Sequence, residues 1–290
     1  MVFLSGDYFI YDGWDSKLRN LMLVEIGDND ELLANGIEYD ISTKDGINFP
    51  LYANSTMQNK NFTITICKIE QKTSRPLPFT EEDIFEINRI FFCQDNELKP
   101  LIVNGYTVMC KAINGESWRN SLQQGYINIT LFALPYMTMG KVHSGNIIIN
   151  GSDTQVLYHV DGKKYYGAYK YITLDNKTNA FKEIGLDINF KLSDSAFGVN
   201  ITNMNTGQTM GLRNLDTEEL KNIHIYGDEI TFIKSNINNN LNLMKNLDED
   251  NKDWIKLAYG YNKIKIEVLT TKKEGYNYFD LSYTPKICYQ

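Results

Sequence analysis

At 290 residues, with 42% hydrophobic and 22% charged residues, the chain can bury a substantial core as one large domain or two ordinary ones. A net charge of -7 and a pI near 5.1 argue against a broad nucleic-acid footprint and are read as a solubility feature. No stretch of about 18 apolar residues occurs, so no membrane span is expected, and Asp7, Asp12 and Asp15 interrupt any leader-like apolar segment.

Aromatics make up 12% of the chain, including 19 Tyr, which favours strands and extended interfaces over helices. In chain order, Tyr8-Phe-Ile-Tyr11 alternates like a short strand packed on one face, Asp12-Gly13 supplies a turn, and Trp14-Asp15-Ser16 leads into the apolar run Leu21 to Val24. Ile37 to Ile41 alternates again before a turn at Lys44-Asp45-Gly46. The segment Phe62 to Glu70 predicts the cleanest strand, with Phe62, Ile64 and Ile66 on one face and Thr63, Thr65 and Cys67 on the other. Pro76 and Pro78 break that pattern. A helix is predicted next: Thr80 is an N-cap, Glu81, Glu82 and Asp83 suit its positive end, and Asp83 stands at the capping-box position. Ile84, Ile87 and Phe91 recur at helical spacing, with Phe85 and Ile90 widening the stripe. Strands resume at 101–103, 106–112 and 126–133.

A boundary is expected between Leu134-Pro135 and Ser144-Gly145, dividing the chain into 1–140 and 141–290. Beyond it, strand signals recur about every ten residues, at 146–150, 155–160, 185–192, 198–203, 208–212, 222–225, 229–233, 254–257, 263–269 and 279–283. Punctuated by Asn-Gly and Tyr-Gly turns, they read as an antiparallel sandwich. The expected class is mainly β: an α+β first part with one helix, then a β-sandwich.

The residues offer little chemistry. Cys67, Cys93, Cys110 and Cys288 form no CxxC pair and read as reduced, buried thiols. His143, His159 and His224 are far apart, without metal-ligand spacing, and are read as structural. In Asp248-Glu-Asp-Asn-Lys-Asp253 a lysine takes the fifth position and the needed glycine is missing, so the segment is read as a solvated turn. No phosphate loop, nucleophile elbow or dinucleotide fingerprint is present. No catalytic, cofactor or metal residue is therefore assigned. Trp14, Trp118 and Trp254 are read as core or interface anchors. Tyr165, Tyr166, Tyr169 and Tyr171 form the densest tyrosine cluster, and its exposed members are the first candidates for a glycan or neighbour contact.

The opening segment, with its Gly13-Trp14-Asp15-Ser16 corner before a Leu-Met strand, resembles that of the distal tail proteins of long-tailed bacteriophages. Further matches follow in order: the helix ending Arg89-Ile90-Phe91, Leu98-Lys-Pro-Leu101 before Tyr106 to Lys111, Asn150-Gly151 (without the usual Pro), Asn203 to Leu212, and Leu257-Ala-Tyr-Gly-Tyr-Asn-Lys-Ile264. Together they span nearly all of the chain. The resemblance implies a ring-forming belt domain followed by a galectin-like or carbohydrate-module-like sandwich. It also implies a non-enzymatic role: a six-fold ring connecting the tail tube to the tail-tip hub and receptor-binding apparatus of the virion, made in the host cytoplasm. Its partners would be copies of itself, the tail-tube protein, the hub and a receptor-binding protein. Tyr11, Trp14, Asp15, Ile84, Ile87 and Phe91 are the ring candidates under this reading. The alternative is a carbohydrate-binding module for host-surface saccharide, with Tyr165, Tyr166 and Tyr169 as its docking aromatics.

Overall fold

The computed structural model describes residues 7–26, 37–42, 51–57, 59–70, 73, 75–92, 97–116, 125–150, 155–160, 163–228, 231–238, 241 and 243–288. The Lys44-Asp45-Gly46 turn, Cys93 and Trp118 lie outside these residues, and of the His159 side chain nothing is described. The chain forms two compact units, one of residues 1–140 joined by 287–290, the other of residues 141–286.

The first unit runs β1 (Ile10–Tyr11), β2 (Trp14–Asp15), a 3-10 turn (Ser16–Arg19), β3 (Leu21–Ile26), β4 (Ile37–Ser42), β5 (Leu51–Met57), β6 (Lys60–Lys68), α1 (Glu81–Phe91), β7 (Lys99–Val103), β8 (Tyr106–Glu116), β9 (Tyr126–Ala133) and β10 (Tyr136–Met139). Its main sheet has the order β2-β1-β7-β8-β9-β6-β3, with β10 pairing β8. On β6, Ile64 and Ile66 are buried in the core, while Thr63 and Thr65 meet Thr130 and Asn128 across the strand pair at 3.2 and 2.9 Å. The predicted division of that strand's faces is thus the observed one. Burial pushes the Cys110 thiol up to about 12, so it packs as a neutral apolar group.

Helix α1 begins as its sequence dictates. The Thr80 hydroxyl accepts from the Asp83 N–H and the Asp83 carboxylate accepts from the Thr80 N–H, closing the capping box. Ile87 and Phe91 face the sheet and are buried. Phe85 does not widen that stripe. At about 100° per residue it stands roughly 200° around from Ile87, and its side chain is 72% exposed.

The second unit is a β-sandwich. Its elements are β11 (Val142–His143), β12 (Ile147–Asn150), β13 (Gln155–Val160), β14 (Lys163–Asn176), β15 (Glu183–Gly185), β16 (Asp187–Lys191), β17 (Ala196–Asn203), β18 (Thr209–Leu212), α2 (Glu218–Lys221), β19 (Asn222–Tyr226), β20 (Phe232–Ser235), β21 (Leu247–Lys252), β22 (Lys256–Ala258), β23 (Gly260–Thr270) and β24 (Tyr276–Tyr283). One sheet is ordered β13-β14-β23-β17-β18-β21. The other is ordered β11-β24-β16-β19-β20, with β12 also on β24. Ile264, Ile266 and Val268 of the first sheet share a core with Ile188, Ile223, Ile225 and Leu281 of the second. A final strand, β25 (Lys286–Cys288), pairs with β10.

Two features depart from expectation. Strand β14, the longest of the described strands, fills a region where no strand is predicted. Residues 248–253 are no solvated turn: 247–252 form β21, the edge of the first sheet, and pair with β18. There the Asp248 carboxylate accepts from Asn251 and Arg213 at 2.9 and 2.7 Å, and these bonds hold it below its ordinary pKa.

Candidate interface surface

The first unit's N-terminal corner is built from local bonds that the residue types require. Asp12 and Gly13 both adopt positive φ (49° and 77°), the geometry of a two-residue hairpin turn, which places Tyr11 opposite Trp14. Lys99 pairs with the Asp12 carboxylate at 2.8 Å, and the Asp12 N–H donates to the Pro100 carbonyl at 3.0 Å. The Asp15 carboxylate caps the 3-10 turn by accepting from the Lys17 N–H at 2.9 Å, and Asn20 closes it in the left-handed region. Ser16 is buried, and its Oγ accepts from the Phe9 N–H at 2.9 Å. That is the physical content of the Asp-Ser pair.

The corner is fastened to α1. The Trp14 indole N–H donates to Glu86 Oε1 at 3.1 Å, while Arg19 pairs with Glu86 Oε2 at 2.8 Å. Beneath, the Tyr11 and Phe91 rings stack with centroids 4.5 Å apart, and Phe9 packs against both Trp14 and Phe91. Burial pushes the Tyr11 phenol well above its ordinary pKa.

The six residues expected at an interface therefore separate. Tyr11, Ile87 and Phe91 are core residues, buried by their own unit, and support the surface from behind. Trp14, Asp15 and Ile84 are half-buried at the surface, Trp14 and Asp15 already bonded within the unit. Sequence reasoning missed the two most exposed apolar side chains near this corner, Leu18 at 80% and Phe85 at 72%. The available signal was Phe85's position off the Ile87–Phe91 stripe.

In the second unit the three docking tyrosines do not form one bare cluster. Tyr165 packs against Phe197 with ring centroids 5.0 Å apart, and the Lys273 ammonium lies 5.4 Å over the Tyr166 ring. Tyr169 meets Tyr171 edge-on at 5.5 Å, and these two rings carry Lys265 and Lys263 at 4.9 and 4.4 Å. His224 stacks on Tyr226 at 3.8 Å, where burial pushes its pKa below the ordinary value. His143 is exposed, 2.9 Å from Asp280. No cluster of metal-ligating side chains occurs among the described residues.

Comparison with solved structures bears on this arrangement. The crystal structure of SPP1 Dit, described as a paradigm of the hub adsorption apparatus in phages infecting Gram-positive bacteria, superposes with a TM-score of 0.56 at 14% identity, covering 96% of this chain and 98% of that one. The chain has the Dit fold. Structures of the phage P2 baseplate in its activated conformation, with Ca and with Sr, each give a TM-score of 0.43, at 12% and 11% identity, covering 94% and 92% of this chain. No protein-family model matches the chain, and no curated protein matches it. In this chain the Asp12–Ser16 corner and α1 lie in the first unit and the lysine-covered tyrosines in the second.

Proposed function

We propose that this protein is a structural component of a bacteriophage tail tip or baseplate. Copies join head to tail through the first unit until rotation closes a ring of six, as heterologous interfaces do when geometry permits. The ring connects the tail tube to the tail-tip hub and the receptor-binding apparatus, and the protein's place is the virion after synthesis in the host cytoplasm. It carries out no turnover. The observation carrying this reading is the Dit fold over nearly the whole of both chains. The rigid corner adds a surface suited to it: Leu18 and Phe85 stand exposed beside groups already held by Glu86. Preorganised contacts of this kind lose little entropy on association.

Sedimentation of the purified chain over a range of concentrations tests the reading. A species of six-fold protomer mass that retains tail-tube or hub protein is expected. A strict monomer at high concentration that retains neither overturns it.

A further inference from the structure

The outward face of the sandwich sheet grades from covered to bare along one strand pair. Tyr169, Tyr171, Thr173 and Asp175 of β14 lie opposite Glu267, Lys265, Lys263 and Tyr261 of β23. All eight point away from the core, because Ala168, Leu174, Ile264, Ile266 and Val268 occupy the alternate positions and are buried in it. At one end Glu267 is buried, accepting from Asn200 at 3.0 Å and Lys265 at 3.1 Å, and lysines cover the rings of Tyr169 and Tyr171. At the other end Tyr261 is 73% exposed, and Tyr259 in the adjoining turn is 71% exposed. Neither side chain has a ring, ion or hydrogen-bond partner among the described residues.

The backbone beneath these two rings is fixed. Asn262 is fully buried: its Oδ1 accepts from the Ala258 N–H at 3.0 Å, and its Nδ2 donates to the carbonyls of Ala258 and Gly260 at 2.7 and 2.9 Å. Asn203, also buried, donates to Asn262 Oδ1 and to the Lys256 carbonyl. Asn176 donates to the carbonyls of Leu257 and Ala258 from the other side. Three buried amides thus hold the turn around Tyr259, and Asn205 Oδ1 accepts from the Lys263 N–H at 2.7 Å beside it.

We propose that Tyr259 and Tyr261, with Asp175, Thr173 and Lys263 beside them, form a binding surface for a neutral saccharide. A sugar ring presents apolar C–H faces edged by hydroxyls. Bare aromatic faces on a rigid turn, next to a carboxylate, a hydroxyl and an ammonium on the same sheet face, complement both features. The core of a protein–protein interface, in contrast, is depleted of Asp and Lys, and here Asp175 and Lys263 stand among the tyrosines. Asp175 and the net charge of -7 disfavour a polyanionic glycan.

Calorimetric titration of the full chain with chitohexaose, cellohexaose and dextran tests this. At least one of these neutral glycans binds, and Tyr261→Ala and Tyr259→Ala each weaken it about ten-fold. Tyr261→Phe retains the affinity, because the ring and not the hydroxyl is used, and Tyr165→Ala leaves it unchanged. Both alanine variants keep the native melting temperature, since neither ring is packed, so lost binding is not lost folding. The proposal fails if none of the three glycans binds, or if binding survives both alanine substitutions. It also fails if those substitutions abolish retention of another tail protein while no glycan binds.

Discussion

The Trp14 indole N–H donates to Glu86 Oε1 at 3.1 Å, joining the first hairpin to α1 across 72 residues of sequence. Since Glu86 also pairs with Arg19, one carboxylate holds both flanks of the corner. Glu86→Ala removes both bonds and leaves the half-buried indole N–H unpaired. A stability loss of about 1–2 kcal/mol is expected by urea unfolding, with a matching fall in ring formation by sedimentation. Glu86→Gln keeps one acceptor for Trp14 and falls between the two.

Exposure separates surface from core within the same helix. Phe85→Glu and Leu18→Glu change stability by no more than about 0.5 kcal/mol, yet reduce ring assembly if this face meets a neighbouring copy. Ile87→Ala and Phe91→Ala, by contrast, cost about 2–5 kcal/mol from the lost packing. Unfolding and sedimentation measured on all four variants distinguish the two outcomes.

Gly185 and Gly227 lie back to back. A Cβ at Gly185 would stand 1.5 Å from the Gly227 carbonyl oxygen, a backbone atom that has no rotamer to move. Gly185→Ala is expected to destabilise the sandwich by about 3 kcal/mol or more, whereas Gly140→Ala, with open space around its Cβ position, is neutral. Thermal melts of both variants test the contrast.

Acid should weaken both units, through Asp83 in the first and through Asp187, in addition to Asp248, in the second. For Asp83 in the first, burial alone would raise the pKa, but the Lys68 ammonium and the Thr80 hydroxyl and N–H outweigh it. For Asp187 in the second, burial is likewise outweighed, by Lys141 and the N–H groups of Gly227 and Asp228. Both carboxyls are held below the ordinary value of 3.8. A depressed folded pKa contributes stability above the unfolded value and loses it as pH falls through the folded one. Stability should therefore be level from neutrality to about pH 5 and decline below it. Asp187→Asn is expected to be less stable than the native chain at pH 7, with the gap narrowing toward pH 3 in denaturant titrations.

What the residues determined alone was local. The Asp12-Gly13 turn, the Thr80–Asp83 capping box and the alternation of Phe62 to Cys67 were legible because each depends on neighbours a few positions away. Strand β14 was not legible: Gly167 interrupts the outer face of Tyr169, Tyr171 and Thr173, while Lys170 breaks the apolar side between Ala168 and Ile172, which blurs the two-residue period. Segment 248–253 reads as solvated acid, yet pairing with β18 and the Arg213 guanidinium make it an edge strand. Likewise, residue type marks Tyr11 and Phe91 as contact-forming without saying with what. Only the folded unit decides that they meet each other, while Leu18, Phe85, Tyr259 and Tyr261 stay exposed. Hydrophobicity favours burial wherever a partner surface exists, and which surface that is depends on contacts distant in sequence.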